Sequence, residues 1–314
     1  MSSARGGGPS LFWIIFSCTA IFTFTALLIN GDSAMSVVGG LSSSASRSAH
    51  SALAVFAPPP SAPLTSPSAS PLPPALADGC LHVYLDVGTN VGIQFRKLYT
   101  PEKYPNALIR DEFVRYFGVG KREDVCAFGW EPNPHHKADL LRLQDGYRAL
   151  GRRITINTEA AAGIFDGKGI FKTDNDPKNY EWGSKVVPVQ PGESPPADAV
   201  LVVDIAAWIV KNVLHRRVPN ATGGLKPAVV MKLDIEGSDE NVLAKMFQLG
   251  ALCDIDMIYL EKWHVRNEVH NFLHVASEAL GCKVRIMMID DEMYYDEKWS
   301  EPTNRRRQLR VAKT

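Results

Sequence analysis

From Leu81 onward, the chain alternates short apolar runs with longer amphipathic stretches. The apolar runs are rich in Val, Ile and Leu and end at glycines or polar residues, which predicts β-strands. One of them, VVMKL, is apolar almost throughout, as expected for a strand that is covered on both faces. The predicted strands span residues 82–87, 125–130, 153–157, 229–233, 257–260 and 283–289.

Amphipathic stretches between these strands predict helices. One helix begins at Asn133-Pro134, an N-cap followed by a proline at the first helical position. A second begins at Ser238 and ends at Gly250. A third ends at Gly281 and carries the apolar stripe Val269, Phe272, Leu273, Ala276 and Leu280. Alternating strands and helices predict an α/β fold with a doubly wound, mostly parallel, Rossmann-like sheet.

A single uncharged apolar run occupies residues 11–29. Its 19 residues come close to the ~20 that cross a bilayer. The length of the run and the INGD sequence after it favour a transmembrane signal anchor over the alternative, a cleaved signal peptide. Because Arg5 precedes the run and Asp32 follows it, we expect a type II single-pass membrane protein with its domain in the secretory-pathway lumen, in the Golgi.

Residues 30–79 have a different composition. Between positions 31 and 78, 30 of 48 residues are Ser, Ala or Pro, and charge is almost absent. Such a segment cannot bury enough surface to offset its ordering entropy, so we expect a disordered stalk. A plastid transit segment is the alternative. The predicted organisation is a tail (1–10), the anchor (11–29), this stalk (30–79), a folded domain (80–302) and a basic C-terminal tail (303–314).

Composition and charge exclude several classes of protein. The chain has 34 Lys+Arg and 34 Asp+Glu, and this balance excludes a strongly basic nucleic-acid binder. The 45% of hydrophobic residues is ordinary for a globular protein. The cysteines show no CxxC spacing, which argues against a cysteine metal cluster. Four of them could form disulfides, whose pairing the sequence leaves open: Cys80, Cys126, Cys253 and Cys282.

Acidic residues follow four of the predicted strands. The carboxyl ends of parallel strands meet at one edge of a sheet, and ligands bind there. Acids at these positions also cap helices, but their recurrence favours a binding crevice. The four strand-end sequences are DVGTNVG (86–92), EPNP (131–134), DIEG (234–237) and EKWH (261–264).

The first of these turns indicates the kind of ligand. It reads G-x-N-x-G instead of the G-x-G-x-x-G of dinucleotide-binding folds, and Asp86 precedes it. A carboxylate at this place repels a pyrophosphate and attracts a cation or an amine, so we include Asp86 among the cofactor-binding residues. Glu131 can accept hydrogen bonds from two ribose hydroxyls, as acids do in dinucleotide-binding folds. A cofactor with an amino-acid head, a sulfonium and a ribose fits these residues best.

The sequences DVGTNVG, EPNP and MKLDIEGSDENVL resemble the FkbM family of S-adenosylmethionine-dependent methyltransferases, over about residues 81–289. The resemblance implies a class I methyltransferase fold, S-adenosylmethionine as cofactor, and methyl transfer to a hydroxyl of a sugar, a glycan or a related small molecule. It also implies that Gly88, Asn90 and Gly92 lie at the methionyl end, Glu131 at the ribose and Ala162 beside the adenine.

A hydroxyl that accepts a methyl group must lose its proton, which calls for a base. The resemblance places Asp234 nearest the methyl group, and Asp234, Glu236 and His264 all lie where a base could act. Asp234 could instead only cap a helix, and His264 could be a loop residue. The same side chains with Glu261 could hold magnesium, although we expect no metal.

Two long connections depart from the dinucleotide-binding pattern. Glu131 follows Gly92 by 39 residues, whereas the ribose acid of that pattern comes after ~20. The excess holds a predicted helix at 107–117, which we interpret as a tolerated surface insertion, with a substrate lid as the alternative. The connection 173–198 is rich in Pro and Gly, and a loop of this length is more often functional than idle.

Two other function classes are compatible with parts of the chain. A membrane anchor with a stalk is typical of lumenal glycosyltransferases, and Asp254-Ile255-Asp256 has the Asp-x-Asp spelling that many of them use. This triplet precedes a predicted strand, however, and a ligand-binding pair should follow one. The remaining alternative is a catalytically degenerate methyltransferase fold that serves as a membrane-tethered binding module.

Overall fold

The protein is described here by a computed structural model, which covers residues 74–120, 122–174, 183–190, 192–220, 226–260 and 265–288. The predicted anchor, nearly all of the predicted stalk, the C-terminal tail and His264 lie outside these ranges. Within them, no helix has both the length and the apolar character that crossing a bilayer requires.

Six parallel strands form the main sheet. Their order across the sheet is β3-β2-β1-β8-β9-β10. The prediction of a mixed α/β fold with a mostly parallel, Rossmann-like sheet is therefore confirmed. Each strand begins and ends within two residues of its predicted limits: β1 His82–Val87, β2 Val125–Glu131, β3 Arg153–Thr158, β8 Ala228–Leu233, β9 Met257–Leu260 and β10 Arg285–Met288.

Helices cover both faces of this sheet. On one face, Phe95 packs edge-on against Tyr84 of β1, with ring centroids 6.0 Å apart. On the other face, Trp208 packs edge-on against Phe128 and Trp130 of β2, at 5.2 and 4.7 Å. The α-helices are α1 Ile93–Tyr99, α2 Ile109–Phe117, α3 Lys137–Ala149, α4 Ile205–Ile209, α5 Asp239–Gln248 and α6 Asn267–Ala279.

The predicted helix boundaries hold with local differences. The Asn133 side chain accepts a hydrogen bond from the amide of His135, so this cap is confirmed, although a 3₁₀ turn precedes α3. Ser238 stands at the N-cap of α5 but makes no side-chain capping bond. Leu280 was wrongly assigned to the buried stripe of α6, because 60% of its surface is exposed beyond the last helical residue.

A second sheet of four strands was not predicted. Its order is β4-β7-β5-β6, and only the β4–β7 pair is parallel. These strands are short, and three of them lack a clear apolar alternation, since β4 reads AAAG, β5 reads GKGIFK and β6 lies within the Pro- and Gly-rich connection. Their bounds are β4 Ala160–Gly163, β5 Gly167–Lys172, β6 Lys185–Pro188 and β7 Val200–Asp204.

Helix α2 belongs to the hydrophobic core. Its residues Ile109, Phe113 and Phe117 are at most 5% exposed and cluster with Tyr84 of β1. The Phe113 and Tyr84 rings meet edge-on at 5.1 Å. The interpretation of this segment as a surface insertion was therefore wrong, and the alternative of a lid fails as well, because the helix covers the centre of the sheet.

Two disulfides lie at the edge of the main sheet formed by the amino ends of its strands. They join Cys80, just before β1, to Cys126 at the start of β2, and Cys253 to Cys282, which precede β9 and β10. Such bonds typically stabilise a fold by about 2–4 kcal/mol each. The folded unit begins at Ala75, slightly before the predicted boundary at 80, and Ala77 is fully buried.

Candidate functional site

The strand order places a topological switch point between β1 and β8. The chain builds β1, β2 and β3 to one side and returns to build β8, β9 and β10 to the other. Open α/β sheets bind ligands in the crevice beyond the carboxyl ends of the strands at such a point. A cavity of about 310 Å³ lies there, a size at the lower end of the range for small-molecule sites.

Six of the predicted site residues line this cavity together. They come from the ends of β1, β2 and β8 and from β4 of the second sheet: Gly88, Asn90, Glu131, Ala162, Asp234 and Glu236. Three of the predicted strand ends thus meet around one space, as the acids at those ends predicted, and β4 of the second sheet is the fourth segment. His264 and the rest of EKWH lie outside the described residues.

The turn after β1 passes very close to the end of β8. The Asp234 amide donates to the carbonyl of Val87 at 3.0 Å. Gly88 has a φ of +85°, and a Cβ placed on it would lie 1.7 Å from the Asp234 carbonyl oxygen. Only glycine therefore allows the two strand ends to approach in this way. Asn90 also has a positive φ, 48°, within the same turn.

Gly92 serves a different purpose from its predicted one. It is not among the residues that line the cavity. A Cβ on Gly92 would lie 2.4 Å from Cδ2 of Leu143, so this glycine lets the start of α1 pack closely against α3. Its part in the G-x-N-x-G turn is thus helix packing, whereas Gly88 and Asn90 face the cavity.

Glu131 is held by the backbone on both sides of its carboxylate. The Asn90 amide donates to Oε2 at 2.6 Å and the Asn133 amide donates to Oε1 at 2.8 Å. Burial nevertheless raises the pKa of Glu131 to about 7, against the effect of these amides and of Lys232. Each oxygen keeps a second lone pair, so the carboxylate can still accept hydrogen bonds from a ligand.

Asp86 lies behind the cavity wall and is completely buried. Neither carboxylate oxygen has a hydrogen-bond partner within the described part of the chain. Burial raises the pKa of Asp86 to about 7, with smaller effects from Lys232 and Lys97, which lower it, and from Asp234 and Glu131, which raise it. A buried and unpartnered carboxylate is costly, so it favours a positively charged neighbour.

Lys232 was missed by the sequence analysis. It occupies β8 directly opposite Asp86 of β1 and is 6% exposed. Its ammonium donates to the Gly88 carbonyl at 2.6 Å and lies 2.8 Å from Oδ2 of Asp234. Lys232 therefore fixes both the glycine turn and the Asp234 side chain. The sequence did contain a signal for Lys232, because it is a lysine inside the apolar strand VVMKL. Buried lysines rarely lack a partner, so this lysine indicated an acid nearby.

The DIEG turn after β8 is built around an acid of the next helix. The Asp239 carboxylate accepts the amides of Ile235 and Gly237, both at 3.1 Å. Asp239, the first residue of α5, therefore closes the turn before the helix, whereas Ser238 makes no side-chain capping bond. This leaves Asp234 and Glu236, the latter with a φ of 56°, facing the cavity from a fixed turn.

The second sheet supplies an apolar wall to the cavity. Its members are Ala161, Ala162, Phe171, Val186 and Val202, with Ile164 and Phe165 between strands. His136 also lines the cavity, with its Nδ1 3.8 Å from Oε1 of Glu131. The sequence alone could not show that the turn before α3 directs His136 towards Glu131.

The Asp254-Ile255-Asp256 triplet lies away from the cavity. It leads into β9 at the amino edge of the sheet, and the Asp256 carboxylate accepts the amide of Val229 at 2.7 Å. Across the described ranges, no group of three or more His, Cys, Asp or Glu side chains is placed to hold a metal ion.

Comparisons with models of known families, with curated proteins and with solved structures found no match.

Proposed function

We propose that this protein is an S-adenosylmethionine-dependent methyltransferase that methylates a hydroxyl group. The observation that carries the proposal is the cavity at the switch point, where a glycine turn, the backbone-held Glu131 and the acids Asp234 and Glu236 meet. The orphaned carboxylate of Asp86 fits a cationic ligand and not a pyrophosphate. The resemblance of DVGTNVG, EPNP and MKLDIEGSDENVL to the FkbM family supports the same cofactor.

The cavity residues suit the parts of this cofactor. Glu131, with one lone pair free on each oxygen, would hold the ribose hydroxyls. The turn at Gly88 and Asn90 would take the methionyl end, and the apolar wall around Ala162 would take the adenine. His136, beside Glu131, adds a polar group on the ribose side.

The bound cofactor would supply an electrophilic methyl group. Positioning of the acceptor hydroxyl and exclusion of water would then provide most of the acceleration, a contribution of about 7–11 kcal/mol in well-oriented reactions. Asp234, held by Lys232, would orient the hydroxyl and take its proton. Glu236 lies on the same turn and would contact the acceptor. The acceptor class, a sugar or glycan hydroxyl, rests on the family resemblance.

Replacing Glu131 by alanine should weaken cofactor binding by about 1–3 kcal/mol, the cost of leaving buried hydrogen-bonding groups unpaired. The variant also leaves the amides of Asn90 and Asn133 without their acceptor. Isothermal titration calorimetry of the purified chain with S-adenosylmethionine and with S-adenosylhomocysteine would measure the loss. Replacing Glu123, an exposed acid before β2, by alanine is the control.

Two results would contradict the proposed cofactor. One is tight binding of NAD to the wild-type chain with no binding of either adenosyl ligand. The other is an unchanged affinity for both ligands in the Glu131→Ala variant, which would place the ribose elsewhere. If binding is confirmed, incubation with a labelled methyl donor and a panel of glycans would identify the acceptor.

We also propose that the domain is lumenal and anchored through the single apolar run at residues 11–29. The two disulfides support an oxidising compartment, in which such bonds persist. After alkaline carbonate extraction of membranes, the protein should stay in the pellet. Full release into the supernatant would instead indicate a cleaved signal peptide.

A further inference from the structure

Buried acids outnumber buried cations at the switch point. Asp86, Glu131 and Asp234 act on one another across a few strand ends, and the cations that act on Asp86 are Lys232 and Lys97. With all five groups charged, the cluster would carry one uncompensated negative charge. Asp239, five residues further along the chain, is also buried, and the charge of Asp234 acts on it, so it adds to the excess of acid.

The local contacts decide which acid lacks compensation. Lys232 directs its ammonium to Asp234 and to the Gly88 carbonyl, even though Asp86 lies directly opposite it in the sheet. Glu131 has two amide donors. Asp86 has no donor among the described residues and no exposed surface. A fully buried carboxylate without hydrogen-bond donors is costly to ionise, so in the empty protein this cluster keeps a proton near neutral pH.

We propose that the site is matched by charge to the reactant form of its cofactor and mismatched to the product form. This inference rests on the proposed function. S-adenosylmethionine has one net positive charge near neutral pH, and S-adenosylhomocysteine has none. The cationic ligand binds with the acid cluster ionised, and its binding expels the proton. The neutral product binds with the cluster protonated.

The proton balance of the reaction agrees with this assignment. Methyl transfer forms a carbon–oxygen bond, breaks a carbon–sulfur bond, removes the sulfonium charge and frees the hydroxyl proton. The site thus loses one positive charge and gains one proton in the same step. The acid cluster can retain that proton, which restores the charge state in which the neutral product is bound.

The test is the pH dependence of affinity of the full chain for the two ligands, measured by calorimetry. For the expulsion of one proton from a group titrating near neutrality, the affinity for S-adenosylmethionine should rise about tenfold between about pH 5.5 and 7. The affinity for S-adenosylhomocysteine should stay nearly constant. Repeating the titrations in buffers of different ionisation heat counts the protons directly, with about one expected for the first ligand.

Two variants assign the proton to the acid cluster. Asp86→Asn should flatten the pH dependence for S-adenosylmethionine and reduce its preference over the product. His136→Gln should leave the pH dependence in place, although this histidine also lines the cavity. Asp145→Asn, on the exposed face of α3, removes a carboxylate far from the site and should change nothing.

The outcomes separate the inference from the proposed function. Equal pH dependence for both ligands, or loss of the dependence in His136→Gln alone, would overturn the charge match. Failure of both ligands to bind at every pH would instead contradict the proposed cofactor. If Asp86→Asn does not fold, the comparison of the two ligands on the wild-type chain still decides.

Discussion

Replacing Asp234 by asparagine is expected to lower turnover about 10²–10⁴-fold, the usual contribution of a positioned base. Asparagine keeps the size of the side chain and an oxygen that can accept from Lys232, whose ammonium lies 2.8 Å from the aspartate. The backbone bond from residue 234 to the Val87 carbonyl is untouched. Folding should therefore change little while the proton acceptor is lost.

Single-turnover kinetics, cofactor titration and thermal unfolding of this variant would separate the possible roles of Asp234. Asp254→Asn is the matched control, because it makes the same chemical change on an exposed residue at the opposite edge of the sheet. Full turnover in Asp234→Asn would show that the base is another group, with Glu236 and His264 the next to test. Loss of folding would show a structural role.

Gly88→Ala should be the most destabilising substitution in the site, by about 2–6 kcal/mol. Two costs combine in this estimate, each about 1–3 kcal/mol: a side chain in a left-handed conformation and overpacking of a filled space. The new Cβ would lie 1.7 Å from the Asp234 carbonyl, so the ends of β1 and β8 would have to separate. Cofactor binding should weaken as well, because these strand ends form part of the cavity.

Gly151→Ala isolates the cost of the close approach. Gly151 has a φ of +77°, similar to the +85° of Gly88, but a Cβ on it would meet no atom within 4 Å. It therefore incurs only the conformational cost. Chemical denaturation of both variants should show a larger loss for Gly88→Ala, and equal losses would mean that the two strand ends are free to separate.

The main sheet was predictable because its signals are local. Each of its strands is an apolar run with a boundary residue, and a parallel sheet places the acids after those runs at one edge. The second sheet was not predictable in the same way. An AAAG or GKGIFK strand has little intrinsic preference for the β conformation, and its pairing depends on partners up to 41 residues away along the chain.

The residues of the candidate site also fall into two groups, those with a local sequence signal and those without one. Gly88, Asn90, Glu131, Asp234 and Glu236 could be placed from sequence, because their positions follow from strand ends. The contributions of the remaining residues depend on contacts across the sheet. The position of Lys232 opposite Asp86, the packing of Gly92 against α3 and the direction of His136 all follow from tertiary packing, which no local pattern reports.

The apolar wall has a consequence for how this fold can diversify. All four of its strands come from one continuous stretch between β3 and β8, residues 160–204. The acids, the glycine turn and Lys232 come from strand ends outside that stretch. We therefore expect that this stretch can be exchanged without altering the acids, the glycine turn or Lys232. Chimaeras in which this stretch is replaced by the same region of another protein with this fold would test the expectation. The ligand specificity should change with the stretch, while the acid cluster should stay unchanged.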